Sequence, residues 1–362
     1  MNPLVSLSKS QIAVRGVDTQ FKIILNGLAP VYPLTISYVI DPVTTAAATE
    51  YSLANGSVTL NEGQLEATVP VQIKPVAGLS DSQLIVRLSA GTNNSPTSSH
   101  TISLREGNVP PVVSLTLTQG GFPTTLVTPS GGPVTVVAHV IDANAKDTHS
   151  FDWSATSGLA DTDSNPVDAV RLINPAGLTG SQQVQVSVTD SAGAIVQAQL
   201  YFKVVSQLPV LSPTADTDND GFTDELEGTG DSDGNGIPDY LDNMPATNIL
   251  PQQITATDNY LIECDPGVRC GLGLFALNGK SGGVQILDSE VGSLANLKAD
   301  TSFTPEGGIF DFVINDLPTA GQSTRVVIPQ TVAVPANAVY RKYQKGQWVN
   351  FVVDQNNAVH SA

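Results

Sequence analysis

Residues 216–242, DTDNDGFTDELEGTGDSDGNGIPDYLD, carry ten carboxylates and no lysine or arginine. Such a segment repels itself, because carboxylates this close cannot all stay ionised in a compact backbone unless a cation sits among them. The spacing of the acids indicates which cation. Counting Asp216 as position 1, Asp218 and Asp220 fall at positions 3 and 5, Gly221 at 6, Phe222 at 7, Asp224 at 9 and Glu227 at 12. Fifteen residues on, Asp231, Asp233, Asn235, Gly236, Ile237, Asp239 and Asp242 fill the same seven places, with Asp in place of Glu at the last.

This is the ligand spacing of a twelve-residue EF-hand-type calcium loop. Glycine at position 6 permits the sharp turn, and the residue at position 7, Phe222 or Ile237, lends only its backbone carbonyl. About two calcium ions are therefore expected, one per loop. Magnesium fits less well because it prefers rigid octahedral sites that retain water, and zinc lacks nitrogen and sulfur ligands here. A solvated acidic linker explains neither the repeated spacing nor the matched glycines. The flanks, LPVLSPTA and NMPATNILP, and the intervening GTG offer no amphipathic helices to bracket the loops. In this respect the stretch resembles the thrombospondin type 3 repeat, whose successive loops wrap calcium ions that replace a hydrophobic core. The resemblance covers these twenty-seven residues and implies metal binding without catalysis.

The 362 residues are enough for two to four domains. A hydrophobic fraction of 41% marks a globular chain, while charged residues make up only 14%, against roughly 25% in an average soluble domain. The shortfall is mostly basic: Lys+Arg number 16 and Asp+Glu 34, and the net charge of −18 argues against nucleic acid or anionic membranes as partners. No run approaches the roughly 18 apolar residues of a spanning helix, and no basic and apolar signal segment follows Met1. β-rich composition, calcium loops and a close cysteine pair suit an oxidising extracellular space, so a mature or excised piece of a longer exported protein is expected.

Up to about Gly107 short runs alternate apolar and polar residues: VSLSKSQIAV, TQFKIILNGL, LTISYVI, ATVPVQI, QLIVRLSA and HTISLRE. About seven strands at this spacing predict an antiparallel β-sandwich of immunoglobulin type over 1–107. The phrase EYSLANGSVTLNEGQLEATVPVQI, residues 50–73, resembles a Calx-beta domain. That family sometimes binds calcium through clustered acids, but Asp41, Glu50 and Glu62 are scattered and read as turn acids. Asn108, Val109, Pro110 and Pro111 form a stiff boundary. A second sandwich is expected over 108–206, with Trp153 in its core. Its NVPPVVSL, DANAKDTHSFDWSA and VSVTDSAGA segments resemble a PKD-like immunoglobulin domain, an interaction and spacer module. Asp142, Asp147 and Asp152 match no loop spacing and read as turn caps rather than ligands. The calcium segment, 207–245, would join this unit to a third β-rich region at 246–362.

In that third region Cys264 and Cys270 bracket DPGVR, whose Pro-Gly turn brings the thiols together, and a disulfide is expected. It would contribute roughly 2–3 kcal/mol for so short a loop. A reduced pair or a redox or metal role is disfavoured, since the spacing is not CxxC and no histidine is near. TPEGGIFDFVINDLPTAGQSTRVVIP, VPANAVYRKYQKGQWVNF and DQNNAVHSA resemble the choice-of-anchor U domain of bacterial surface proteins. That family continues past this point, so the resemblance implies a domain truncated at Ala362, with an exposed sheet edge open to a homo-oligomeric or other strand partner.

Only His100, His139, His149 and His360 are present, and no HExxH, GxSxG, phosphate loop or dinucleotide fingerprint occurs, so no catalytic residue is assigned. The expectation is an all-β, tandem-sandwich, calcium-stiffened surface protein such as an adhesin segment. Other surface chains or glycans are its candidate partners. The alternatives are a self-assembling subunit of a surface filament or layer, and a carbohydrate- or protein-binding accessory region of a secreted enzyme. The last is poorly supplied with aromatics, Trp153 and Trp348 being the only tryptophans.

Overall fold

The computed structural model describes residues 3–90, 93–244, 246–254, 260–294, 296–330, 333–354 and 357–360. Alternation of apolar and polar residues dictates the first unit. Along Thr19–Leu25 the residues Phe21, Ile23 and Leu25 point inward, and along Glu66–Ile73 the residues Val69, Val71 and Ile73 do the same. These strands, with Val5–Leu7 and Tyr51–Ser52, form one four-stranded face. Gln11–Val14, Ser99–Arg105, Ser82–Leu88, Leu34–Ile40 and Gly56–Leu60 form a five-stranded face opposite. Leu84, Val86, Ile102, Leu104, Ile36 and Leu60 from this face close the core.

The second unit repeats the plan with two four-stranded sheets. One is built on Val112–Gln119 against Val134–Ile141, the other on Gly180–Asp190 against Ile195–Val204. Trp153 is 2% exposed between them, beside Val136, Val186 and Phe202, and its indole N–H donates to the Asp168 carbonyl at 2.9 Å.

Both sandwiches depart from a purely antiparallel plan in the same way. In the first, the opening strand breaks and Gln11–Val14 crosses to run parallel to Ser99–Arg105; in the second, the chain turns back along Val112–Gln119 at Phe122–Pro123, and Leu126–Val127 then crosses to run parallel to Ile195–Val204. Each crossing covers a strand edge that would otherwise be left unpaired.

The third region is β-rich but made of small patches. Ile249–Pro251, Leu261–Cys264 and Val326–Val327 form a three-stranded sheet, and Arg269–Leu272 pairs with Phe312–Asn315 in a two-stranded one. A hairpin, Arg341–Gln344 with Gln347–Asn350, packs Tyr343 and Trp348 beside each other at 5.2 Å between ring centres. The strands are short because glycines and prolines interrupt nearly every run. Cys264 and Cys270 are disulfide-bonded, with Cα atoms 6.5 Å apart, and both are buried. The core around them takes in Leu250, Ile262, Val268, Leu272, Val284 and Ile286, and also Ile237 from the acidic segment. No helix among the described residues is long and apolar enough to cross a membrane.

One half-buried acid braces a turn of this region. Asp311 accepts the backbone N–H groups of Phe275 at 2.6 Å and Ala276 at 3.0 Å, which start the short helical turn Ala276–Asn278. Asp311→Ala leaves both donors unmet and is expected to cost about 1–3 kcal/mol, read as a lower denaturant midpoint. Burial raises the Asp311 carboxyl pKa.

The chain folds back on itself. Lys9 Nζ of the first sandwich lies 2.5 Å from Asp265 of the third region, and Gln322 Nε2 donates to the Ser10 carbonyl at 2.9 Å. A linear stalk would keep these units apart.

Candidate metal centre

The two acidic loops share one hydrogen-bond plan. In the first, Asp216 accepts the N–H groups of Asp220 at 3.2 Å and Gly221 at 3.1 Å, Asp218 accepts Asp220 N–H at 3.2 Å, and Asp220 accepts Phe222 N–H at 2.8 Å. In the second, Asp231 accepts Asn235 and Gly236 N–H at 3.0 Å each, Asp233 accepts Asn235 N–H at 3.0 Å, and the Asn235 side-chain oxygen accepts Ile237 N–H at 2.7 Å. Gly221 and Gly236, at position 6, have φ of 101° and 98°, the left-handed turn the spacing predicts. Position 4 is also left-handed, with Asn219 at 63° and Gly234 at 72°.

Each loop ends in a short turn rather than a long helix: Asp224–Glu227 in the first and Asp239–Leu241 in the second. The position-9 acids behave differently from the rest. Asp224 accepts both the N–H and the hydroxyl of Thr217, at 2.8 and 2.9 Å, and Asp239 does the same with Ser232 at 2.8 Å each. These two carboxylates tie each loop's position 2 to its exit turn.

The remaining acids of the first loop gather, and two of their oxygens lack any donor. Asp216, Asp218 and Asp220 each present a carboxylate oxygen within 4.8 Å of the others. Asp218 Oδ2 and Glu227 Oε2 are buried and have no hydrogen-bond partner. In the second loop the Asn235 amide nitrogen stands between Asp233 Oδ2 at 3.1 Å and Asp242 Oδ2 at 2.6 Å. There a weakly positive group occupies the focus of the acids.

Electrostatics shows the same demand for positive charge. Burial, then the charges of Asp218, Asp220 and Asp216, push Glu227 up to about 7. Burial, then Asp231 and Asp242, push Asp233 up to about 8, and burial with Asp231 and Asp239 takes Asp242 to about 6. Burial also raises Asp218 and Asp231. The donor set is all oxygen, hard and anionic, which fits calcium.

The loops differ in setting. Phe222 is 56% exposed, whereas Ile237 is 1% exposed, inside the third core. Asp231 and Asn235 are buried as well. The second loop touches both neighbours: Asp231 N–H meets the Pro123 carbonyl of the second sandwich at 3.3 Å, and the Asn235 carbonyl accepts Leu272 N–H of the third region at 2.7 Å.

Other acids noted in the sequence are placed as follows. Glu50 is buried and neutralised by Arg15 at 2.9 Å, Asp41 pairs with Arg87 at 2.6 Å, and Glu62 is exposed. Asp142 and Asp147 do come together, but with Asp190 in place of Asp152. Asp190 accepts Asn108 Nδ2 at 2.8 Å and the N–H groups of Ala192 and Ala194, Asp142 binds His149 at 2.8 Å, and Asp147 takes the Ser191 hydroxyl at 2.8 Å. Asp152 instead caps its own turn at Ser154 N–H. Asp190 lies in the VSVTDSAGA stretch, and only its return beside the Asn108 boundary brings it to the other two.

No family model matches the sequence, and no curated protein matches it. Among solved structures, the apo form of the Calx CBD1 domain is similar at 12% identity and a TM-score of 0.26, over 29% of this chain and 99% of that one. The N-terminal Ig1-2 module of the Drosophila receptor protein tyrosine phosphatase DLAR is similar at 15% identity and a TM-score of 0.21, over 57% of this chain and all of that one. A protocadherin gammaB7 EC3-6 structure is similar at 11% identity and a TM-score of 0.19. At these scores none of the likenesses bears on function.

Proposed function

We propose that this chain is a non-catalytic calcium-binding structural part of an exported surface protein. In this reading Asp216, Asp218, Asp220, Glu227 and the Phe222 carbonyl hold one calcium ion. Asp231, Asp233, Asn235, Asp242 and the Ile237 carbonyl hold a second. Asp224 and Asp239 brace the loops from behind. The observation that carries the reading is the duplicated loop, whose matched acids leave two buried oxygens without donors in the first copy and draw in the Asn235 amide in the second.

The ions' task is mechanical. The second loop sits between the second sandwich and the third region, so metal that orders it fixes how those units meet. The disulfide and loops of this type suit an oxidising, calcium-rich extracellular space. The bacterial surface context rests on the resemblance within residues 304–362 alone.

Calorimetry of the metal-stripped chain is the direct test. Two calcium ions per chain are expected, with heat and stoichiometry little changed by millimolar magnesium. Binding of one ion or none, or equal competition by magnesium, would overturn the reading.

A further inference from the structure

The disulfide-bonded loop 264–270 touches both sandwiches and the second acidic loop at once. On one flank Asp265 Oδ2 receives Lys9 of the first sandwich at 2.5 Å, along with the Thr324 hydroxyl at 3.1 Å and Arg325 N–H at 3.0 Å. Gly267, at φ 83°, lies so close to the first sandwich that a Cβ there would stand 3.4 Å from Ile24 and Ser8 side-chain atoms. On the other flank Arg269 reaches away from that sandwich. Its Nη1 donates to the Gly234 carbonyl of the second acidic loop at 3.3 Å, its Nη2 donates to the Leu115 carbonyl of the second sandwich at 3.5 Å, and its Nε lies 3.2 Å from Asp316.

The ring between these flanks is stiff. Val268 is 1% exposed, Cys270 N–H donates to the Thr247 carbonyl at 2.8 Å, and Cys264 N–H donates to the Asn248 carbonyl at 2.9 Å. Leu272, two residues beyond the ring, is held by the Asn235 carbonyl. A displacement of Gly234 and Asn235 therefore reaches Arg269 and Leu272 directly, and the ring passes it to Asp265 as a rigid body rather than absorbing it.

We propose that the Cys264–Cys270 loop is the relay of an intrachain clasp, which holds the first sandwich against the third region through Lys9 and Asp265 when calcium orders the second acidic loop. This rests on the calcium reading of Asp231–Asp242. With the ion, the Gly234 and Asn235 carbonyls are fixed and seat Arg269 and Leu272. Without it, the acids of the loop repel one another, those carbonyls move, and the ring loses its footing on that side. The Lys9–Asp265 pair is largely buried, its side chains 13% and 9% exposed, and such a pair repays its desolvation only while its geometry and supporting hydrogen bonds hold. The clasp therefore opens once its seat is disturbed, and the first sandwich swings free on the residue 107–111 boundary.

The test couples Lys9 to Asp265 chemically. A water-soluble carbodiimide activates the Asp265 carboxylate as an acylisourea; the Lys9 amine attacks it, the amide forms and the urea leaves. The cross-linked peptide is then quantified by mass spectrometry. In calcium the Lys9–Asp265 amide is expected, and in chelator its yield falls at least about tenfold, the change produced by one decade of coupling between sites. Arg269→Met in saturating calcium should lose the cross-link while calorimetry still registers both ions. Should that variant fold poorly, Arg269→Lys, which keeps the charge but not the two-pronged contact, replaces it. Equal cross-link yields in calcium and chelator, with the second ion shown to bind, overturn the clasp and leave the calcium reading standing. Absence of that ion from the calorimetry removes both.

Discussion

Replacing Asp216 and Asp231 together by asparagine is expected to abolish calcium binding in both loops while leaving both sandwiches folded. Each residue accepts two backbone N–H groups that draw its loop closed, Gly221 N–H in one case and Gly236 N–H in the other. Each also supplies the first anionic ligand. Asparagine keeps the shape but removes a charge and replaces one acceptor oxygen with a donor, so the loop can neither close as before nor attract the cation. The effect is calcium-specific because neither residue belongs to a sandwich core. Calorimetry should show no calcium heat, and the melting transition of the variant should match that of chelated wild type. At a calcium concentration 100 times the dissociation constant, the wild-type chain gains about 2.7 kcal/mol per ion, about 5.4 kcal/mol for two, that this variant lacks.

The second large effect is a reversal in how stability responds to pH. In chelator the folded chain holds protons on Asp242, Glu227 and Asp233 up to about 6, 7 and 8. The unfolded chain has released them by roughly pH 4–5. The folded state thus binds more protons between about pH 4 and 8, so chelated protein loses stability as pH rises through that window. Calcium takes the place of those protons and removes the penalty. Melting followed in chelator should fall from pH 5 to pH 8, and melting in saturating calcium should stay level or rise. Calcium binding near pH 6 should release protons, and its apparent affinity should weaken about tenfold per pH unit for each proton displaced. A chelated chain that grows more stable toward pH 8 would show that these acids are not crowded.

Much of this architecture is legible in the sequence because it is periodic. Alternation along Thr19–Leu25 and Glu66–Ile73 marks the faces that become core, and Trp153 is the large buried side chain of the second sandwich. The loop spacing foretells the left-handed Gly221 and Gly236, and the flanks, not the spacing, foretell that no long helix brackets the loops among the described residues. The role of Asp224 and Asp239 has a signal too: a hydroxyl residue at position 2 of each loop, Thr217 and Ser232, waits for a carboxylate.

What the sequence conceals is non-periodic and long-range. Lys9 sits in the polar run SLSKSQ, and nothing near it announces a partner more than two hundred residues away at Asp265. Asp190 joins Asp142 and Asp147 only because the connection that crosses between the sheets after Ile141 meets the turn of the Gly180–Asp190 and Ile195–Val204 hairpin. Ile237 reads as a residue that lends its carbonyl, yet its side chain enters the core around the disulfide. That burial makes the second loop part of the third region rather than a free linker, a consequence of tertiary packing that loop spacing does not encode.

The central claim is that calcium in these loops sets how the units of the chain meet. Small-angle scattering of the purified chain, first in calcium and then after chelation, tests it most directly. A compact particle is expected in calcium, and a reversible increase in maximum dimension and flexibility without it. Curves that superimpose, while calorimetry shows two bound ions, would contradict it.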